Sequence, residues 1–255
     1  MKDLRLDVDR GVATLTIDRP EARNALAPRT MAELAQALEA VRATRARVMV
    51  IRGTGAKAFC AGGDLKELER MRSAEEAASM ARHMRTTLDA ITETKIPVIA
   101  AINGDAFGGG VELALACDFR VAAAHARIGL TQINLGLMPA WGASERLAAL
   151  VGRGRALHIL LGGKVLTADE ALAAGLVEEV VPSGSFDSRL KELARSIAAA
   201  PPAAVAGIKR SVDSVRPQRN PEVAAEAIKS FTRTWTAPAH WRAVERLERR
   251  RTERR

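Results

Sequence analysis

The sequence predicts an α/β fold in which strands and helices alternate, followed by a helical region towards the C-terminal end. Two observations support this prediction: short, β-branched apolar runs alternate with helical patterns up to about Leu147, and the chain is predominantly helical beyond that residue. Such alternation is typical of a parallel or mixed sheet built from βαβ units. With 255 residues, the chain is long enough to bury one substantial core.

The first predicted elements are a hairpin and a helix. Residues 4–8 and 12–17 alternate apolar and polar side chains around a turn at Asp9-Arg10-Gly11, which predicts two antiparallel strands. Residues 28–42 are predicted to be helical, because Pro28 suits a first helical turn. An apolar stripe at helical spacing supports this helix and consists of Met31, Leu34, Ala35, Leu38 and Val41.

The middle of the chain continues the alternation and then reaches a boundary. Pro182-Ser183-Gly184-Ser185 is rich in turn-forming residues, so we expect a core at residues 1–184 and a C-terminal helical region at residues 185–255. The elements predicted before it are a strand at 47–52, a helix at 74–92, a strand at 97–102, a helix after Gly108, and short strands at 119–122 and 128–129.

The segment from Pro97 to Asp118, PVIAAINGDAFGGGVELALACD, carries the clearest chemical signal. Its apolar strand runs through a glycine-rich turn into a helix, and the first N–H groups of a helix lack intrahelical partners and carry partial positive charge. Gly109 and Glu112 are three residues apart and therefore share a helix face. A carbonyl bound at Gly109 would place its neighbouring carbon beside a carboxylate that can move a proton.

A purely structural interpretation is open for the same residues. Glu112 can simply favour the helix dipole while the glycines pack against a neighbouring strand. A second glycine pair favours the chemical interpretation, because Gly62-Gly63 lies between the strand at 47–52 and a helix predicted to begin near Asp64. Two strand-to-helix turns supply two backbone donors, and an oxyanion hole needs two converging donors.

Five segments in order along the chain resemble the crotonase (enoyl-CoA hydratase/isomerase) superfamily. They are DRPEARNAL at 18–26, FCAGGDLKEL at 59–68, INGDAFGGGVELALACDFR at 102–120, LGLMPAWGASERL at 135–147 and LTADEALAAGLVEEVV at 166–181. The resemblance implies a crotonase-like spiral of ββα turns that acts on an acyl-CoA thioester. It also implies a homotrimer, or a hexamer of paired trimers, with the C-terminal helices at the subunit contacts.

By the same resemblance, the backbone N–H groups of Gly63 and Gly109 hold the thioester oxygen and stabilise an enolate-like intermediate, while Glu112 transfers protons. Coenzyme A then enters as part of the substrate, and no separate cofactor is expected. For Asp64, a role as N-terminal cap of the following helix is favoured over direct contact with the ligand. The residues that match the CoA-binding stretches of the family are Arg23, Leu26, Ala61, Asp64 and Leu65.

One position departs from the hydratase pattern of the superfamily. Gln132 stands where the second catalytic glutamate belongs, 20 residues after Glu112. A glutamine can orient water or hydrogen-bond a substrate group, but it cannot shuttle a proton as a carboxylate does. We therefore expect one-carboxylate chemistry, which leaves double-bond migration by proton transfer and decarboxylation of a methylmalonyl- or ethylmalonyl-type thioester open.

Two further segments bear on the type of reaction. Pro139-Ala140-Trp141-Gly142 is similar to a segment of the ethylmalonyl-CoA decarboxylase branch, which makes Pro139 and Trp141 candidate substrate-binding residues. For Trp141, filling the pocket floor or the core is the favoured interpretation. Near the C terminus, APAHWRAVERLERR replaces the acidic, glycine-containing run common in hydratases, so the usual C-terminal contacts with CoA are not carried over.

The composition of the chain bears on the cellular compartment in which the protein is expected to work. Cys60 and Cys117 are the only cysteines, and no stretch resembles a leader peptide or a membrane span, so a reducing, cytoplasmic location without a membrane partner is expected. The cysteines and the four histidines lack the spacing of metal ligands, which predicts no metal site.

Charge and one glycine motif suggest alternatives from other functional classes. Much of the formal net charge of +9 lies in residues 241–255, whose end is expected to fray, and such a tail can attract nucleic acid. No recognition motif accompanies it, so a solvated face or attraction for the CoA phosphates suits it better. The run at residues 53–58, GTGAKA, formally fits a dinucleotide fingerprint, but Cys60-Ala61-Gly62-Gly63 interrupts the helix that should follow.

Overall fold

The computed structural model describes residues 1–215 and 220–253, and its strands belong to two sheets. The strands are Leu4–Asp9 (β1), Val12–Ile17 (β2), Val48–Gly53 (β3), Ala58–Cys60 (β4), Val98–Ile102 (β5), Asp105–Phe107 (β6), Phe119–Ala123 (β7), Arg127–Gly129 (β8), Leu166–Thr167 (β9) and Glu179–Val181 (β10). The larger sheet has the order β1-β2-β3-β5-β7-β10, and the smaller has the order β4-β6-β8-β9.

Two of the described helices begin and end at the residues predicted from the sequence. They are Pro28–Arg42 (α1), Leu65–Leu68 (α2), Ala74–Thr92 (α3), Gly109–Ala116 (α4), Ala143–Val151 (α5), Arg153–Gly162 (α6), Ala168–Ala173 (α7), Phe186–Ala199 (α8), Pro202–Asp213 (α9), Pro221–Trp235 (α10) and Pro238–Thr252 (α11). The helices α1 and α3 match the sequence prediction because each has a clear start signal. Pro28 opens α1, and Ser73 and Glu76 form a capping box at the start of α3.

Successive strands alternate between the two sheets, and this alternation winds the chain into a spiral. β3 lies in the larger sheet and β4 in the smaller, and the pairs β5/β6 and β7/β8 repeat the pattern. The helices α2 and α3 follow the first pair, and α4 follows the second. β1 and β2 are antiparallel, whereas β2, β3, β5, β7 and β10 are paired in parallel. The predicted hairpin and ββα spiral are thereby confirmed.

The central strands of the larger sheet are buried on both faces, which explains their nearly continuous apolar sequences. Along β3, Met49 and Ile51 belong to the main core, whereas Val48 and Val50 belong to a second core on the opposite face. The helix α8 supplies Phe186 and further apolar side chains to that second core. The division at residue 184 therefore separates stretches that pack together, and it stays a prediction as a domain boundary.

Two strands and one helix differ from the expectation. β4 and β6 lie where the sequence suggested glycine-rich turns, because three-residue strands are too short to show an alternating pattern. They pair with each other in parallel. The helix expected near Asp64 is only four residues long. Since β4 begins at Ala58, the last residue of the GTGAKA run, a strand stands where a dinucleotide fingerprint requires a helix.

The C-terminal helices fold back towards the middle of the chain. α10 packs against α3, and α11 packs against a short 3-10 turn at Gln132–Leu135. In this packing, Trp235 Nε1 donates to the carbonyl of Met71, and the buried His240 ring contacts the carbonyl of Leu135. Arg254 and Arg255, where fraying is expected, lie outside the described residues. Within the described ranges, no helix is both long and apolar enough to cross a bilayer.

Candidate active site

Glu112 lies in the first turn of α4 and is 3% exposed. Three donors hold its carboxylate. The backbone N–H groups of Trp141 and Ala143 donate to Oε2 at 2.9 and 3.2 Å, and the Gln132 side-chain amide donates to Oε1 at 3.1 Å. Two main-chain N–H groups thus bind one carboxylate oxygen, and a neutral side-chain amide binds the other.

Burial raises the pKa of Glu112 to about 7. The N–H groups of Ala143 and Trp141, the charge of Arg146 and the Gln132 amide act in the opposite direction, because each favours the ionised form. Removal of water from the carboxylate outweighs these four contributions. Near neutral pH, the side chain is therefore able both to accept and to donate a proton.

Gln132 presents two different groups at this site. Its amide nitrogen is engaged with Glu112, whereas its Oε1 is buried and has no hydrogen-bond partner in the described part of the chain. A buried carbonyl oxygen without a donor costs free energy, which a bound water or substrate hydroxyl would recover. Gln132 thus lies beside Glu112 as a neutral partner, and its correspondence with the second glutamate of the family stays a prediction.

The two glycine-bearing turns meet beside α4. Gly62 has φ +93°, and a β-carbon added there would lie 2.8 Å from the Phe107 carbonyl oxygen and 3.1 Å from the Gly109 nitrogen. Only glycine allows this backbone conformation and this close approach. Leu26 holds the turn in place, because its N–H donates to Gly62 O and its carbonyl accepts from Asp64 N, at 2.8 and 3.0 Å.

The N–H groups of Gly63 and Gly109 are the two donors that the sequence singled out. Gly63 forms an isolated parallel bridge with Leu26 through the backbone groups of its neighbours, so its own N–H is left out of that bridge. Gly109 is the first residue of α4. Among the described residues, neither N–H has a hydrogen-bond acceptor. Two backbone donors without an acceptor thus lie on the two adjoining glycine turns, and their joint action on a carbonyl stays a prediction.

Trp141 joins the two ends of this site. Its N–H binds Glu112, and its indole ring packs so closely on Gly109 that a β-carbon there would overlap the ring. The side chain is 6% exposed and belongs to the main core. The ring therefore packs against the first residue of α4 as part of the core, and contact between Trp141 and a substrate stays a prediction.

The predicted CoA-binding residues fall around the first glycine turn. Arg23 is about half exposed and pairs with Asp105 at 2.5 Å, while its carbonyl accepts from Ala61 N at 3.1 Å. Leu65 is partly buried against the core, and Leu26 is completely buried. Pro139 is partly buried just before Trp141. Their contact with a substrate stays a prediction.

Asp64 lies at the start of α2, where its interpretation as an N-terminal cap places it. The residue occupies the N-cap position of α2, but its side chain makes no capping hydrogen bond. Its carboxylate instead pairs with Arg19 at 2.9 Å, and both side chains are largely buried. An ion pair with a guanidinium replaces the side-chain cap. The fold brings Arg19, which follows β2, next to the start of α2.

Sequence reasoning missed Ala143 and Arg146. Arg146 donates to the Trp141 carbonyl at 2.7 Å and to Asp89 at 2.5 Å, and it lies behind the loop that binds Glu112. In the sequence, the only signal for Ala143 was that it follows Gly142, a residue type common in turns. The structure confirms a turn there, with a φ of +101° at Gly142. No local pattern distinguishes Arg146 from the other arginines of this arginine-rich chain.

No group of three or more His, Cys, Asp or Glu side chains within residues 1–215 and 220–253 is arranged to hold a metal ion. Cys60 and Cys117 are buried free thiols, and burial raises the pKa of each thiol to about 12. Neither thiol is therefore suited to act as a nucleophile near neutral pH.

Comparison with known proteins finds relatives that are similar in sequence and in fold. A family model described as enoyl-CoA hydratase/isomerase matches residues 7–253. The chain is 39% identical over 197 residues to the crotonyl-CoA hydratase of Syntrophomonas wolfei, covering 77% of this chain and 75% of that protein. It is 34% identical over 216 residues to the short-chain-enoyl-CoA hydratase of Clostridium acetobutylicum, covering 84% and 82%. The crystal structure of an enoyl-CoA hydratase from Bacillus anthracis superposes with a TM-score of 0.81 at 36% identity, covering 91% of this chain and 90% of that one.

Proposed function

The chain belongs to the enoyl-CoA hydratase/isomerase family, and on that premise we propose that it moves a double bond in an enoyl-CoA thioester by proton transfer through Glu112. The observation that carries the proposal is the pairing of this single buried carboxylate with an amide instead of a second carboxylate. Double-bond migration needs one group that removes a proton and returns it elsewhere, and one carboxylate is sufficient for that.

The proposed reaction begins with the thioester oxygen between the N–H groups of Gly63 and Gly109. Glu112 takes a proton from the carbon next to the carbonyl of a 3-enoyl-CoA, and the electron pair of the broken C–H bond moves into a dienolate whose charge lies on the thioester oxygen. The same carboxyl group then gives the proton to the far carbon of the former double bond, which yields the 2-enoyl-CoA. The two N–H donors stabilise the charge while it exists.

Three features support these roles. Glu112 is half protonated near pH 7, which suits a group that must accept and return a proton. Gly63 and Gly109 offer N–H groups that have no acceptor among the described residues. The Trp141 ring limits water next to Gly109, and a dienolate is protected when little water reaches it.

Decarboxylation of a methylmalonyl- or ethylmalonyl-CoA thioester is the second candidate, and the apolar Trp141 ring against Gly109 favours it. In that reaction, the C–C bond to the carboxylate breaks, CO₂ leaves, and the electron pair forms the same enolate. A protonated Glu112 then donates to the carbon. The two candidates use the same groups but need opposite starting protonation states of Glu112.

A panel of substrates analysed by mass spectrometry tests the proposal. The purified chain is offered a 3-enoyl-CoA, a 2-enoyl-CoA, and methyl- and ethylmalonyl-CoA. Conversion of the 3-enoyl to the 2-enoyl isomer supports the proposal, and loss of CO₂ supports the second candidate. Addition of water to the 2-enoyl-CoA without isomerisation would overturn both, because it would show that Gln132 suffices for the role of the second glutamate.

We also propose a homotrimer or hexamer that needs no cofactor besides the CoA of its substrate and works in the cytoplasm. Exposed apolar side chains on α5 and α6, namely Leu150, Leu157 and Leu161, support association of copies. Two buried free thiols suit a reducing compartment. Light scattering should give three or six copies, and activity should survive dialysis against a chelator.

A further inference from the structure

We propose that Arg146 is the positioning residue of Glu112: it holds the peptide group between Trp141 and Gly142 so that the N–H groups on either side stay aimed at the Glu112 carboxylate. The inference rests on the proposed function of Glu112 and adds to it a residue that touches neither the carboxylate nor a substrate. Its basis is the geometry of three consecutive peptide groups.

These three peptide groups make different hydrogen bonds. The N–H of Trp141 and the N–H of Ala143 belong to the outer two, and both donate to Glu112 Oε2, at 2.9 and 3.2 Å. The carbonyl of Trp141 belongs to the middle one and accepts from Arg146 Nη1 at 2.7 Å. Rotation of the middle peptide would turn both outer N–H groups, so the bond from Arg146 secures two contacts of Glu112 at once.

Gly142 makes this arrangement possible. Its φ of +101° reverses the chain between the two outer peptides, and a β-carbon added there would lie 2.5 Å from Arg146 Nη1. A side chain at position 142 would therefore both strain the backbone and displace the guanidinium. The second arm of the guanidinium is fixed from α3, because Nη2 donates to Asp89 Oδ1 at 2.5 Å. Arg146 is thus held at both ends with little freedom to move.

Arg146 and its neighbour Arg85 each form an ion pair with a carboxylate other than Glu112. Arg146 pairs with Asp89, and Arg85 pairs with Glu145 at 2.8 Å, so each guanidinium already has one carboxylate. Arg146 still favours the ionised form of Glu112 by its charge and lowers the pKa that burial raises. Loss of Arg146 would remove that charge and loosen the two N–H donors, and both changes raise the pKa of Glu112.

The experiment compares Arg146→Met and Arg146→Lys with the wild type. The Glu112 carboxyl is titrated directly by ¹³C NMR of glutamate labelled at Cδ, and Glu112→Gln identifies its signal. In Arg146→Met, the pKa of Glu112 should rise by about one unit, kcat should fall at least about 10-fold, and KM should stay within about threefold. Arg146→Lys keeps the charge and should show less than half of the pKa change.

Arg120 supplies the matched control. It is another largely buried arginine, which pairs with Glu178 and donates to the carbonyls of Leu176 and Cys117 instead of to the loop that binds Glu112. Arg120→Met should lower the unfolding temperature but leave the titration of Glu112 unchanged. If Arg146→Met does not fold, Arg146→Lys and Gly142→Ala carry the test, because the latter displaces the guanidinium without removing its charge.

The outcomes separate this inference from the proposed function. An unchanged Glu112 titration in folded Arg146→Met, or an equal change in Arg120→Met, overturns the positioning role whatever the enzyme catalyses. A raised pKa in Arg146→Met without any turnover in the wild type supports the positioning role and overturns the proposed function instead. The titration needs no substrate, so it gives a result in either case.

Discussion

Gln132 donates a 3.1 Å hydrogen bond from its amide nitrogen to Oε1 of Glu112, so a neutral amide lies beside this buried carboxylate. By the family resemblance, this amide stands where the hydratases have a second glutamate. Because the other carboxylate oxygen already accepts two backbone N–H groups, Oε1 is the oxygen with capacity left to exchange a proton.

Replacing Glu112 by glutamine should abolish turnover but not binding. The amide cannot take a proton, so kcat should fall about 1,000-fold, whereas the affinity for a CoA thioester measured by calorimetry should stay within about threefold. Glu33→Gln is the matched control, since Glu33 is a buried carboxylate that accepts backbone N–H groups of Lys2, Asp3 and Leu4 instead of those that hold Glu112. Full activity of Glu112→Gln would contradict the assignment.

The pH dependence should distinguish the two candidate reactions. With its pKa raised to about 7 by burial, Glu112 is ionised above that pH and protonated below it. If Glu112 begins as a base in isomerisation, kcat/KM should rise with pH and level off above about 7. If it begins as the acid in decarboxylation, kcat/KM should fall over the same range. A profile that is flat from pH 6 to 8 would argue against both roles.

Glu112→Gln should also stabilise the protein at alkaline pH. The pKa of Glu112 is about 7 in the folded chain, whereas an ordinary solvated glutamate has a pKa of 4.5, so folding favours the protonated form. The stability that this preference provides is complete below pH 4.5 and is lost as pH rises through 7. Urea unfolding should therefore show the variant more stable than wild type by up to about 3 kcal/mol at pH 8 and by less than about 1 kcal/mol at pH 5. Equal stabilities at pH 8 would contradict the raised pKa.

Restoring a carboxylate at position 132 should add hydratase activity. In Gln132→Glu, two carboxyl groups would share the site and could divide the proton transfers of hydration between them. We expect water addition to a short 2-enoyl-CoA to increase at least about 10-fold, followed by mass spectrometry. Gln132→Met, of similar length without polar atoms, should show no such gain. If Gln132→Glu shows none either, the shape of the pocket, including Trp141, decides the reaction.

A methyl group at Gly109 should damage the candidate oxyanion hole. The added β-carbon would overlap the Trp141 ring, so the start of α4 and its N–H would have to shift. Misalignment of one donor of this kind costs about 100-fold in kcat. Gly154→Ala is the control, because no atom lies within 4 Å of its β-carbon. Adding Trp141→Leu to Gly109→Ala should recover part of the lost stability; no recovery would show that the ring is not the obstacle.

Local patterns were sufficient for much of the fold. The hairpin of β1 and β2 and the helices α1 and α3 were predicted because alternation, a first-turn proline and a helical apolar stripe are properties of neighbouring residues. The three-residue strands β4 and β6 were not predicted, since they form through pairing within the smaller sheet and carry no periodic signal of their own.

By itself, the sequence determined the family, the two glycine turns, and the choice of Glu112 and Gln132 as the groups of interest. Only the tertiary structure decided how they are connected: the Gln132 amide faces Glu112, the N–H groups of Trp141 and Ala143 bind the opposite oxygen, and Arg146 holds the loop between them. The physical reason is distance along the chain. Contacts across 20 to 31 residues are set by the packing of the two sheets and α5, whereas sequence patterns report on neighbours a few residues apart.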